Sequence, residues 1–219
     1  MGASPRDVPP CIVLASASPR RKVLLAQAGI EFTVHPTGVD ESLEPGLSPE
    51  GAAEALALRK AQAGMGDWIA SQTQESAPCL VIGSDTIVAI GEGPSARQLG
   101  KPVDELEARG MLEALSGTRH QVVTGVAVVR SSDLSKRFSH ERTWVTMREL
   151  TAGEISAYVA SGEWRDKAGG YAIQETADRF VVGLEGGGWD NVVGLPVALT
   201  LKLLASLGGP DLADPLANR

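Results

Sequence analysis

Aromatic residues make up only 4% of this 219-residue chain, and cysteine and histidine are scarcer still, with two and three copies. Two cysteines cannot build the disulfide framework of a small secreted domain. Cys11 and Cys79 each sit in a short apolar run, C-I-V-L and C-L-V-I, which reads as a pair of buried, reduced thiols suited to a reducing compartment. The histidines at 35, 120 and 140 are too widely spaced for a His-rich zinc site. No apolar run approaches the ~20 residues of a membrane span. The first ten residues are polar and Pro-rich, without a signal-peptide core. We therefore expect a cytoplasmic protein that makes no membrane contact. Basic charge is also in deficit: 20 Lys and Arg face 27 Asp and Glu, a formal net charge of -7. That balance excludes a broad nucleic-acid surface and leaves room only for a local anion site. A nucleophile elbow, a Walker phosphate loop and a dinucleotide Gly fingerprint are all missing.

What is present suffices for one sizeable core, since 43% of residues are hydrophobic. We expect a single bilobal domain over 11–207, with loose tails at 1–10 and 208–219. Residues 11–15 read as a buried strand, and Ser18-Pro19 then supplies an N-cap with Pro at the first helical position. Ser48-Pro49-Glu50 opens a second helix reaching about Gly64, and 64–78 reads as a surface insertion whose polar end, Ser71 to Pro78, is a loop. Leu80 to Ile90 reads as a strand interrupted by Ser84-Asp85-Thr86, and Gly91 to Gly100 as a connection. Capping boxes at Asp104/Glu107 and Thr151/Glu154 open two more helices, which Ser116-Gly117 and Gly162 end. Gln121 to Val129 and Phe138 to Met147 alternate as a hairpin around Ser131 to Lys136. Phe180 to Leu184 is a further strand, and Pro196 starts a last apolar helix. Strands mixed with helices give the α/β class with a mixed sheet.

Two segments carry chemistry. Ala15 to Arg21 places small residues, hydroxyls and two guanidiniums at a helix start, where free N–H groups and the macrodipole favour an anion. Arg adds bidentate phosphate contacts; an ordinary capped helix with exposed arginines would give the same local pattern. Asp85 lies in V-I-G-S-D-T-I-V, where an ionised carboxylate costs several kcal/mol unless paired, hydrated or metal-bound. It reads as a general base for water, a metal ligand, or both, against the plainer reading of a turn cap. Glu41 offers a second carboxylate, and Lys60 and Lys101 offer mobile point charges for phosphate oxygens.

L-A-S-A-S-P-R-R at 14–21, V-I-G-S-D-T-I-V at 81–88, G-K-P at 100–102 and S-G-T-R-H-Q-V-V-T-G-V-A-V at 116–128 together resemble the Maf family. D-K-A-G-G-Y-A-I-Q at 166–174 and N-V-V-G-L-P at 191–196 extend the likeness over nearly the whole chain. The resemblance implies a nucleoside triphosphate pyrophosphatase with a bilobal, inosine-triphosphatase-like fold and the site in the cleft between lobes. It also implies a divalent cation, Mg2+ or Mn2+, and a homodimer. Carried over by position, Asp85 is the proton acceptor and a metal ligand, Glu41 a carboxylate close to the metal, and Ser16, Ser18, Arg21, Lys60 and Lys101 surround the triphosphate. S-P-R-R and D-T match the branch acting on dTTP and UTP, with Arg20, Thr86 and Gln174 at base-selecting positions. Glu175, where the family has Gly, and Gly186-Gly187-Gly188-Trp189 depart from the pattern and bear on base preference. The alternative is a nucleotide-binding regulator of septum formation, which would have no need of Asp85.

Overall fold

A computed structural model describes residues 10–42, 46–71, 78–174 and 176–212. Nearly all of the expected N-terminal tail, most of the 71–78 loop, the end of the C-terminal tail and Glu175 lie outside them. The described chain runs β1 (Cys11–Leu14), α1 (Pro19–Gln27), β2 (Thr33–Val34), α2 (Pro49–Ser71), β3 (Cys79–Ile90), β4 (Arg97–Leu99), α3 (Glu105–Leu115), β5 (Arg119–Arg130), β6 (Lys136–Met147), α4 (Ala152–Ser161), β7 (Val181–Glu185), α5 (Trp189–Val193) and α6 (Val197–Ser206). The strands form one mixed sheet in the order β2-β1-β3-β5-β6-β7, with β4 paired to β3 off that path. β1 is parallel to β2 and β3, and every other pairing is antiparallel. The fold class is therefore the expected α/β one: an open mixed sheet flanked by helices. No helix among the described residues is long and apolar enough to cross a membrane.

The caps act as their residue types dictate. Ser18 precedes Pro19 and its hydroxyl accepts from the Arg21 N–H at the start of α1. Thr151 and Glu154 satisfy each other's backbone N–H groups at the start of α4, and Gly162 ends that helix at φ 75°. At α3 the Asp104 carboxylate accepts from Glu107 N–H, but the Glu107 carboxylate reaches back to Val103 N–H rather than to the cap residue itself.

Three expectations are corrected. The helix opened at Pro49 does not stop near Gly64, and 64–71 is helical. α2 continues to Ser71, and Gly64 and Met65 are buried. The missing side chain is the reason, because a Cβ on Gly64 would lie 2.7 Å from the Ala15 Cβ. Ser84-Asp85-Thr86 does not interrupt its strand either: Ser84, Asp85 and Thr86 pair with Val126, Gly125 and Thr124 within a continuous ladder. The connection at 91–100 contains β4, held to Val88–Ile90 by backbone pairing. β2 and α5 had no reading from sequence, being two and five residues long.

Gly83 and Gly125 let α2 lie almost on the sheet. A Cβ on Gly83 would sit 2.2 Å from Ala57 O, and one on Gly125 would sit 2.2 Å from Ala53 O. Backbone thus meets backbone, and Ala52, Ala53, Ala57 and Ala61 fill the narrow seam without exposure. Two larger apolar clusters grip β3 and β5 at opposite ends. One takes Leu80, Ile82, Val126 and Val128 with α1 and α6. The other takes Val88 and Val122 with α3, α4, Trp164 and Phe180. Asp85 sits on β3 between them, where the apolar packing is interrupted.

Candidate functional site

The site grows from that interruption. Because α2 lies against β3, Lys60 on its inner face comes into contact with Asp85, and both are nearly buried, at 8% and 7% exposure. The Lys60 ammonium reaches Asp85 Oδ1 at 2.5 Å and Glu41 Oε1 at 2.7 Å, so one cation holds two carboxylates. Lys101, on the loop before α3, lies 3.6 Å from the other oxygen of Glu41. The acidic loop is itself anchored: Arg59 Nη1 donates to the carbonyls of Asp40 and Ser42 on either side of Glu41. Burial would raise the Glu41 pKa, but the hydrogen bond and charge of Lys60, helped by Lys101, hold it below its ordinary value.

On the other side of Asp85, the helix start expected at Ser18 is in place. Ser16 Oγ accepts from the Ser18 N–H at 3.2 Å and from Arg21 Nη1 at 3.3 Å. The Arg21 guanidinium also donates to Gly194 O at 2.8 Å and to Thr86 Oγ1 at 3.2 Å. Thr124 Oγ1 donates to Asn191 O at 2.8 Å, so its contact with Thr86 at 3.0 Å must have the Thr86 hydroxyl as donor. A directed chain results, from Arg21 through Thr86 and Thr124 to the α5 backbone. Burial lowers the Arg21 pKa and the Asp85 charge opposes that; a guanidinium stays cationic regardless.

The ten residues named from sequence converge on one cleft. Ser18, Arg20, Arg21, Lys60, Lys101, Asp85, Thr86 and Gln174 line an inner pocket whose apolar walls include Val88, Val122, Ile173 and Val192. Ser16 and Glu41 line the adjoining outer cleft, of about 940 Å³, together with the start of α1. That outer space is of the size that small-ligand sites require. Sequence reasoning missed Arg59, whose part is to hold the Glu41 loop, and the Thr124–Asn191 end of the relay. It also left Asp166 and Lys167 without a role, although both line the inner pocket and the outer cleft. Their only signal was membership of the D-K-A-G-G-Y motif.

A cation-lined cleft with a nearly buried carboxylate at its centre, opening beside a helix N-terminus in an α/β fold, has the charge and shape that suit a polyanionic, phosphate-bearing ligand. The comparisons with known proteins agree with that class. The family model described as Maf-like protein matches residues 11–207. Curated relatives called dTTP/UTP pyrophosphatase include those of Pelotomaculum thermopropionicum, 46% identical over 90% of this chain and 96% of the relative, and Moorella thermoacetica, 47% identical over 90% and 95%. That of Hyphomonas neptunium is 44% identical over 90% and 95%. The chain belongs to the Maf-like protein family.

Proposed function

We propose that this protein hydrolyses nucleoside triphosphates between the α- and β-phosphates, with dTTP and UTP as preferred substrates, releasing a nucleoside monophosphate and pyrophosphate. The observation that carries the reading is Asp85, a carboxylate kept in a mid-sheet position among Lys60, Arg21 and Lys101. The relatives, called dTTP/UTP pyrophosphatase, support the same reading. A regulator that only bound nucleotide would gain nothing from so costly a group.

The donor set suits a divalent cation by its chemistry. Asp85 Oδ1 and Glu41 Oε1 both lie within 2.7 Å of the Lys60 ammonium nitrogen, so the two carboxylates stand side by side with that cation between these two oxygens. Among the described residues no group of three or more His, Cys, Asp and Glu is arranged to hold a metal. Two carboxylates fit Mg2+ or Mn2+, which bind through one or two carboxylates and complete their shell with water and phosphate oxygens. Asp85 and Glu41 would hold the ion. When bound, it neutralises phosphate charge and acidifies a coordinated water.

The protein's own groups do the rest. The start of α1, with Ser16 and Ser18, offers N–H and hydroxyl donors to phosphate oxygens, while Arg20 lines the inner pocket with Thr86 and Gln174. Lys60 engages Asp85 Oδ1 and fixes the carboxylate, whose Oδ2 takes the proton of the attacking water. Lys101 and Lys60 balance the charge that passes to the departing pyrophosphate. Arg21, tied to three protein partners, aligns α1 with β3 and α5 and lends its charge to the α-phosphate. Gln174, whose amide both donates and accepts, faces the inner pocket where a pyrimidine edge would lie.

The test is product analysis with dTTP, UTP, CTP, GTP, ATP and 7-methyl-GTP in Mg2+ or Mn2+, beside Asp85→Asn. Monophosphate and pyrophosphate should form fastest from dTTP and UTP, and the variant should lose roughly 10²-fold or more in kcat. Release of inorganic phosphate and a diphosphate, or undiminished turnover in the variant, would overturn the proposal.

A further inference from the structure

Arg21 reaches the cleft already engaged. Its guanidinium carries five N–H groups, and among the described residues three are taken: Nε by Gly194 O, one on Nη1 by Ser16 Oγ and one on Nη2 by Thr86 Oγ1. Five less three leaves two, one on each terminal nitrogen, in a residue that lines both the inner pocket and the outer cleft. Those two remain for phosphate oxygens, and where they point depends on the three bonds behind them.

One of those bonds is conditional. The Thr86 hydroxyl accepts from Arg21 only while its own proton is directed elsewhere, and that proton goes to Thr124 Oγ1 at 3.0 Å. Thr124 is fully buried, stands directly opposite Thr86 in the β3–β5 ladder, and gives its own proton to Asn191 O at 2.8 Å. Asn191 is buried too, and its Nδ2 donates to Val122 O at 3.1 Å and to Thr143 Oγ1 at 2.8 Å. The relay therefore ends on a group held by two further strands, and each hydroxyl in it has one direction. Successive strand residues face opposite sides of a sheet. Asp85 accordingly meets Lys60 of α2 while Thr86 meets Arg21 of α1. The Thr86–Thr124 pair thus sets the guanidinium against the carboxylate one residue away.

We infer that Thr124 is a positioning residue for the reaction. By accepting the Thr86 proton it turns a Thr86 lone pair to Arg21, and so aims the two remaining guanidinium N–H groups at the α-phosphate. Thr124 lines neither the inner pocket nor the outer cleft, so its effect reaches the substrate through Thr86 and Arg21. A buried hydroxyl pair that only satisfied itself would contribute to stability and leave turnover alone. This assignment rests on the pyrophosphatase reading above.

The test measures kcat for dTTP in Mg2+, and thermal melting, for wild type, Thr124→Val, Thr124→Ser, Thr86→Val and the double variant Thr86→Val with Thr124→Val. Valine keeps the shape of threonine without the hydroxyl, and serine keeps the hydroxyl without the methyl. Thr124→Val should lower kcat roughly tenfold, the effect of a misdirected phosphate contact. Thr124→Ser should stay within about twofold of wild-type kcat even where its lost methyl lowers the melting temperature. In the Thr86→Val background, Thr124→Val should change kcat by less than about twofold, because the link it supports is already cut. Wild-type kcat in Thr124→Val, a serine variant as impaired as the valine one, or equal losses with and without the Thr86 hydroxyl would each overturn the assignment. Should Thr124→Val not fold, Thr124→Ala set against Thr124→Ser carries the same comparison. Wild-type turnover that Thr124→Val retains sinks Thr124 alone, whereas absence of wild-type turnover sinks the pyrophosphatase reading and this assignment with it.

Discussion

Lys60 and Asp85 depend on each other in a way that stability measurements can expose. Lys60→Met removes the cation that compensates a nearly buried carboxylate, and losing one partner of a buried pair costs about 3 kcal/mol or more. Asp85→Asn removes the charge that needed compensation. The double variant Lys60→Met with Asp85→Asn should therefore melt above Lys60→Met alone, although it carries one more substitution. Strict additivity of the two losses in denaturant unfolding would show that the pair is not coupled. Asp85 was legible in the sequence because a charge inside V-I-G-S-D-T-I-V has no inexpensive explanation. Lys60 was not legible by itself, since a lysine at the end of Leu58-Arg59-Lys60 looks the same on a solvated face. Only its placement on a helix pressed to β3 separates it from the others. Arg21 was named as a phosphate ligand, and its bonds to Gly194, Ser16 and Thr86 give it a joining role that no local pattern could reveal.

At the scale of elements, the distance between α2 and the sheet sets the site. Gly125→Ala would put a methyl 2.2 Å from Ala53 O, where ordinary contact begins at 3.4 Å. The obstacle is helix backbone, so α2 must lift rather than a side chain turn aside. Overpacking of this kind costs about 1–3 kcal/mol. Because Gly125 pairs directly with Asp85 and α2 carries Lys60, the displacement should also lower kcat by roughly tenfold, a few tenths of an ångström being enough to spoil catalytic alignment. A variant that melts lower yet turns over dTTP at the wild-type rate would show that the seam is structural only. Helix starts were legible wherever a cap residue met Pro or an acidic third position, as at Ser18, Ser48 and Thr151. The end of α2 was misread because Gly64 signals a stop in solution, while its contact with Ala15 makes it a packing position. β4 escaped because three residues of Arg97–Leu99 carry no period, and their strand character comes entirely from pairing with β3.

Across the whole molecule, the cleft is anchored to groups that fail in acid. His120 is fully buried on β5, with Nε2 2.7 Å from the hydroxyl of Tyr171, and Tyr171 lines the inner pocket. Burial pushes the His120 pKa down to about 4 from its ordinary 6.5, so the folded protein keeps the ring neutral. As pH falls below about 6.5 the unfolded chain takes up a proton that the folded chain refuses, and stability drops until the folded ring also titrates near pH 4. Glu41 acts with the same sign lower in the range: its folded pKa is depressed, so its ion pairs with Lys60 and Lys101 stabilise above the unfolded carboxyl pKa and fade below it. His120→Gln retains a hydrogen-bonding side chain and cannot titrate. Its melting temperature should therefore fall less than that of wild type between about pH 7 and pH 5. Parallel curves for the two proteins would mean that His120 is not the group through which acid loosens this fold. A shallower curve for the variant would trace the onset of acid sensitivity to the buried His120–Tyr171 contact beneath the inner pocket.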